Sequence, residues 1–151
     1  VIVQGVEVCA WVAEKTGIVV HDRCVGIGYL KDGKLIAGVS FETYTGKSII
    51  GHQRIDDVTP KGFWIACADY AYNKLKVERI TGLVDASNSK AIRVNIHMGY
   101  VTEATLKSAG TDGGDLLVMV MWRDKCRILN WIRRDDALKG SKYENARTSM
   151  A

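Results

Sequence analysis

Residues 80 to 107, ITGLVDASNSKAIRVNIHMGYVTEATLK, constrain this chain more than any other stretch. They read as an apolar strand, an Asn-Ser break, an amphipathic helix that stops at Gly99, and a second strand. A strand that hands over to a helix and returns to a strand lays that helix on a sheet, so the fold must layer both elements. Asn88 stands at the handover, where its side chain suits the cap of a helix beginning at Ser89. Asp85, near the end of the preceding strand, either faces a cleft or caps the same helix.

Upstream, the pattern is a short strand, a helix and a meander. VIV ends at Gly5, and Val8, Trp11 and Val12 recur among Glu7, Glu14 and Lys15 in a helix that Gly17 stops. CVGIGYL and LIAGVSFETY flank Asp32-Gly33, a pair that tolerates the positive φ a tight hairpin needs. Tyr44 to Lys47 make a second turn, and SIIGHQRI is the third strand of the meander. In VTPKGFWIACADYAYNKL apolar residues recur at helical spacing as far as Leu75. Thr59 is placed as N-cap and Pro60 as the first helical residue, where its missing N–H would be orphaned anyway. VERITGLVD opens the second strand–helix–strand unit, and after Asp112-Gly113-Gly114 the run DLLVMVMWRD makes a last strand. The expected class is α+β, or mixed α/β, with a mostly antiparallel twisted sheet flanked by helices.

At 151 residues the chain suits one domain over 1–134, with a polar tail, 135–151, that has little periodicity. Cys9, Cys24, Cys67 and Cys126 form no CxxC pair, and His21, His52 and His97 share no metal-ligand spacing. The expectation is buried thiols in a reducing cytoplasm, and no metal. No apolar run approaches the roughly 20 residues of a membrane span, and VIVQGVEV lacks a basic leader. The net charge of +4 gathers late, in RDKCRILNWIRRDD. That is either a nucleic-acid face or a solvated surface that attracts a polyanionic ligand such as a phosphorylated cofactor.

The order of elements, with Asn88-Ser89-Lys90-Ala91, then Gly99-Tyr100, then Glu103-Ala104-Thr105-Leu106-Lys107, resembles the GCN5-related N-acetyltransferase superfamily. Members commonly read N-x-x-A/S, then G-F or G-Y, then E-G/A-x-L-R/K, and MVMWRDKCRIL is similar to their last strand. The pattern is nearest to that of the ribosomal-protein acetyltransferase branch and spans about residues 25 to 129. The family's cofactor loop, R/Q-x-x-G-x-G/A, is met only in part by Thr59-Pro60-Lys61-Gly62-Phe63-Trp64. Lys61 and Gly62 match, whereas the arginine and the final glycine do not.

The resemblance implies an acyl-CoA-dependent N-acyltransferase fold, with acetyl-CoA as co-substrate and the amine of a protein or small molecule as acceptor. It places Ile55, Asp57, Thr59, Lys61, Gly62 and Phe63 along the cofactor loop, and Asn88, Ser89 and Ala91 at the second helix start. A helix N-terminus offers unpaired N–H groups and a positive dipole end to a pyrophosphate. Direct attack needs a base, a polarised carbonyl and a proton for the leaving thiolate. His52 is the first candidate base and Glu42 the second, though alternating strands also carry such residues as plain solvent-facing polar groups. The family's tyrosine acid, seven residues after the asparagine, is replaced by Asn95, which leaves Tyr100 or water. Two further readings use the same fold: nucleic-acid binding or modification through Arg123, Lys125, Arg127, Arg133 and Arg134, and a non-catalytic interaction protein whose cleft is closed by Phe63 or Trp64. A homodimer is the oligomer the resemblance implies.

Overall fold

A computed structural model describes residues 1–132. In chain order the elements are β1 (Ile2–Gln4), α1 (Val6–Thr16), β2 (Val25–Lys31), β3 (Lys34–Glu42), β4 (Ser48–Ile55), α2 (Lys61–Ala68), β5 (Arg79–Asp85), α3 (Ser89–Met98), β6 (Val101–Leu106) and β7 (Leu116–Trp122). Helix α2 runs on as a wider π-helical stretch, Asp69–Lys74, and residues 127–132 are helical. The seven strands form one sheet in the order β1-β2-β3-β4-β5-β7-β6, antiparallel throughout except for β4 beside β5. This is the expected α+β class.

Glycine decides where α1 lies. Gly26 and Gly28 on β2 and Gly38 on β3 share one face of the sheet, and α1 presses its Val8, Cys9 and Val12 onto it. A Cβ on Gly26 would meet the Gly5 carbonyl oxygen at 2.5 Å and the Cys9 amide at 2.9 Å, so no larger residue fits there without moving backbone. The opposite face carries the main core: Ile27, Val39, Phe41, Ile49 and Ile80 from the strands, and Phe63, Ala66 and Tyr72 from α2 and its extension. Ile128, Leu129 and Ile132 close over the same core. Tyr72 is fully buried and donates its hydroxyl to the Met121 carbonyl at 2.5 Å, which ties the π-helical stretch to β7.

The turns behave as their residues require, with two shifts of boundary. Asp32 and Gly33 both take positive φ in the β2–β3 hairpin, and Gly17 and Gly99 end α1 and α3 in the left-handed region. Helix α2, however, begins at Lys61. Pro60 holds the N-cap position with extended angles (φ −70°, ψ 153°), and the Thr59 hydroxyl is turned to accept from the Trp64 indole N–H at 3.0 Å. The strand expected from Val77 begins at Arg79, because Lys76 takes positive φ and turns the chain just before it. All four cysteines are free, with Cys24 half-buried and the other three buried. Among the described residues no helix is long and apolar enough to cross a membrane. Arg133, Arg134 and the tail 135–151 lie outside the described residues.

Candidate functional site

The one parallel pair creates the site. Strands β4 and β5 are hydrogen-bonded only where Ser48, Ile49 and Ile50 face Arg79, Ile80 and Thr81. Past that point Gly51–Ile55 stays paired with β3 on one side, while its other edge looks across a gap at Gly82–Asp85. Both strands run their C-terminal ends into this gap, and each hands over there to a helix, α2 or α3. Crevices of this kind, at the carboxyl ends of parallel strands, are where α/β sheets take ligands.

On the α1 face of the sheet, side chains from three segments converge beside β4. His52 stands opposite Ser40, and its Nε2 lies 3.2 Å from Oε1 of Glu42 at the end of β3. The two side chains are 10% and 20% exposed, so they are not the solvent-facing polar groups of an alternating strand. The second carboxylate oxygen, Oε2, is 3.4 Å from Nε2 of His21 and 3.9 Å from Sγ of Cys24, both on the loop before β2. The Ser40 hydroxyl is buried beside the Cys9 thiol of α1. Sequence reasoning missed His21 and Cys24. The His-x-x-Cys spacing of HDRC was visible, but the carboxylate that completes the group lies 18 residues beyond Cys24.

On the other face a side-chain hydrogen bond crosses the gap. Gln53 of β4 donates Nε2 to Oδ1 of Asn95 at 3.3 Å, and Asn95 in turn donates Nδ2 to the Met119 sulfur at 3.7 Å. Asn95 is therefore a buried tie between α3 and the sheet. Gln53 had no sequence signal. Tyr100 lies nearby, its ring 3.7 Å from the place a Cβ on Gly82 would take. Burial pushes its phenol pKa up, with Cys126 and Cys67 adding to the effect. The structure thus brings His52 and Glu42 together and sets Tyr100 on the opposite side of the sheet.

The cofactor-loop candidates divide. The place a Cβ on Gly62 would occupy is open, which leaves the first turn of α2 accessible to a ligand. Lys61 extends over the Trp131 ring, 5.1 Å from its centre, while Ile55 ends β4 opposite Ala37. Asp57 pairs with Lys31 at 3.1 Å, and its other oxygen takes the Val58 amide at 2.7 Å. The Val58 amide, chiefly, and Lys31 hold its carboxyl below the usual range. Phe63 is wholly in the core, so its side chain does not close the crevice, and Trp64 packs edge-on against it. At α3, Asn88 caps the helix by accepting from the Ala91 amide at 3.2 Å, and Ser89 begins it. Asp85 does not supply the side-chain cap of α3: both its oxygens accept from Thr111, pinning the β6–β7 loop. Of the late basic residues, Arg123 is engaged with the Tyr72 carbonyl and Asn73.

No family sequence model matches the chain, and no curated protein does. Solved structures do. A spermidine N-acetyltransferase chimera built from Vibrio cholerae SpeG and hSSAT superposes with a TM-score of 0.59 at 19% identity, over 72% of this chain and 70% of that one. Campylobacter jejuni N-acetyltransferase PseH, in complex with acetyl coenzyme A, gives 0.55 at 18% identity over 68% and 70%. Ard1 from Thermoplasma volcanium gives 0.56 at 12% identity over 76% of each chain. At these identities the likeness is one of fold, and the fold is that of the GCN5-related N-acetyltransferases.

Proposed function

We propose that the chain is an acyl-CoA-dependent N-acyltransferase, with acetyl-CoA as donor and a protein or small-molecule amine as acceptor. The observation that carries this reading is the His52–Glu42 pair, held on β4 beside the gap where β4 parts from β5. With Glu42 ionised, a proton on His52 Nε2 satisfies the contact and leaves the Nδ1 lone pair as the base. The unpaired edge of Gly51–Ile55 offers amide and carbonyl groups to an extended pantetheine arm, as an edge strand does to an added one. The first turn of α2, at Lys61 and Gly62, lies where the pyrophosphate would reach a helix N-terminus. Similar folds carry the names of spermidine and other N-acetyltransferases, and one was solved with acetyl coenzyme A.

In the reaction, the amine nitrogen attacks the thioester carbon, the C–S bond breaks, and His52 takes the proton the nitrogen loses. A β4 amide polarises the carbonyl in the gap. Tyr100 is poorly suited to be the proton source, because a phenol whose pKa burial has raised gives up its proton less readily than a thiol does. It serves instead as a hydrogen-bond donor to the departing thiolate, and water supplies the proton.

The half-buried and buried free thiols fit a reducing compartment. The exposed edge strand β6 offers a surface on which two copies could pair, which sedimentation of the purified chain would detect. The test of function is a thermal-shift series with acyl-CoA thioesters followed by an amine-acceptor panel. Acetyl-CoA is expected to raise the melting temperature, and His52→Ala to lower kcat by about 10²–10⁴-fold. No stabilisation by any CoA thioester would overturn the reading.

A further inference from the structure

The loop before β2 carries two potential metal ligands that acyl transfer does not use. Cys24 donates its backbone N–H to the His21 carbonyl at 3.2 Å, a tight turn that aims both side chains at the end of β3. There they meet Glu42, and one donor atom from each of the three residues lies within 4.8 Å of the other two. We propose that His21, Cys24 and Glu42 form a binding site for a thiophilic divalent cation of the Zn²⁺ class.

The spacing fits such an ion. Ligands at about 2.0–2.3 Å from a tetrahedral centre stand roughly 3.3–3.8 Å from one another. Two of the three separations are 3.4 Å for His21 Nε2 to Glu42 Oε2 and 3.9 Å for Cys24 Sγ to the same oxygen, and the third, between His21 and Cys24, is within 4.8 Å. One thiolate and one carboxylate offset the dication's charge, and the thiolate selects against Mg²⁺ and Ca²⁺, which want oxygen ligands. His21 is 41% exposed, so the fourth position is open to water. His52 keeps its contact with Oε1 and orients the carboxylate from behind. One contact must yield. The Arg23 amide now donates to His21 Nδ1 at 3.2 Å, and a ring bound through Nε2 carries its proton on Nδ1. That amide is exposed and turns to water at little cost.

Glu42 also contacts His52, so the site adjoins the pair on which the acyltransferase reading rests, but the binding itself does not depend on that reading.

The experiment is a Co²⁺ titration of the reduced full chain, followed by absorption. One equivalent is expected to produce the d–d bands of a tetrahedral centre and a thiolate-to-metal charge-transfer band. Cys24→Ser abolishes the charge-transfer band, both Cys24→Ser and His21→Ala weaken binding at least ten-fold, and His97→Ala, on the exposed side of α3, changes neither. A second readout needs no variant: Zn²⁺ is expected to protect Cys24 from alkylation, scored by mass spectrometry. Absence of stoichiometric Co²⁺ binding, binding that the Cys24 and His21 variants leave intact, or alkylation of Cys24 at the same rate with and without Zn²⁺ would each overturn the proposal. If Co²⁺ binds while no CoA thioester stabilises the chain, the site stands and the acyltransferase reading falls.

Discussion

Glu42 is the residue whose surroundings matter most, because each of its two oxygens is claimed by a different imidazole. A glutamine there keeps the shape but replaces one acceptor oxygen with an NH2 group, so it can no longer accept from both imidazoles. Glu42→Gln is expected to lower kcat about 10²-fold with little change in KM for acetyl-CoA, as steady-state kinetics would read. Tyr100→Phe separates a hydrogen-bond donor from a structural hydroxyl. The phenol has no hydrogen-bond partner among the described residues, so the variant is expected to melt at or above the wild-type temperature while kcat falls about ten-fold. His52 and Glu42 were both legible as candidates, since they lie on neighbouring strands of a recognisable meander. That they touch was not: a hairpin register off by one residue puts one of them on the other face.

At the scale of elements, the helix contacts rest on missing side chains. Gly26 faces α1 at backbone distance, so Gly26→Ala is expected to destabilise the chain by about 3 kcal/mol in chemical denaturation, the upper range for overpacking. Gly33→Ala, at a positive φ but in open space, disturbs only its own turn and serves as the control. Strand and helix identities followed from period and punctuation: Asp32-Gly33, Gly17, Asn88 and Gly99 all stand where the chain turns. The start of α2 escaped by one residue because the Trp64 indole, in the first turn of the helix itself, claims the Thr59 hydroxyl. The change from α to π geometry after Ala68 likewise has no signature in the apolar spacing of ADYAYNKL. It shows only in where the backbone bonds close, as with the Leu75 amide on the Tyr70 carbonyl at 2.9 Å.

Across the whole molecule, acid–base pairs stitch separate elements together. Arg54 of β4 holds Asp56 below the usual carboxylate range and reaches Glu14 of α1, and Arg79 of β5 does the same for Glu103 of β6. The Ser87 hydroxyl, and then the Gly114 amide, depress Asp112 across the loops after β5 and β6. A carboxyl depressed in the folded state adds stability above its unfolded pKa and loses it as pH falls through the folded value. The melting temperature is therefore expected to be nearly flat from about pH 7 to 5 and to fall below about pH 4, by a modest amount because these pairs are largely exposed. An equal fall between pH 7 and 5 would show that other groups dominate.

The sequence by itself determined the order of strands and helices and that a helix follows each of β4 and β5, because periodicity, caps and turn residues are local properties of the chain. It also carried a resemblance to the N-acetyltransferase pattern through Asn88, Gly99 and the last strand. Tertiary structure alone decided that β4 and β5 part after three residues, that His52 and Glu42 share the α1 face with His21 and Cys24, and that Tyr100 lies on the other. Those outcomes depend on strand register and on which sheet face each helix covers, and both are set by packing between residues far apart in sequence.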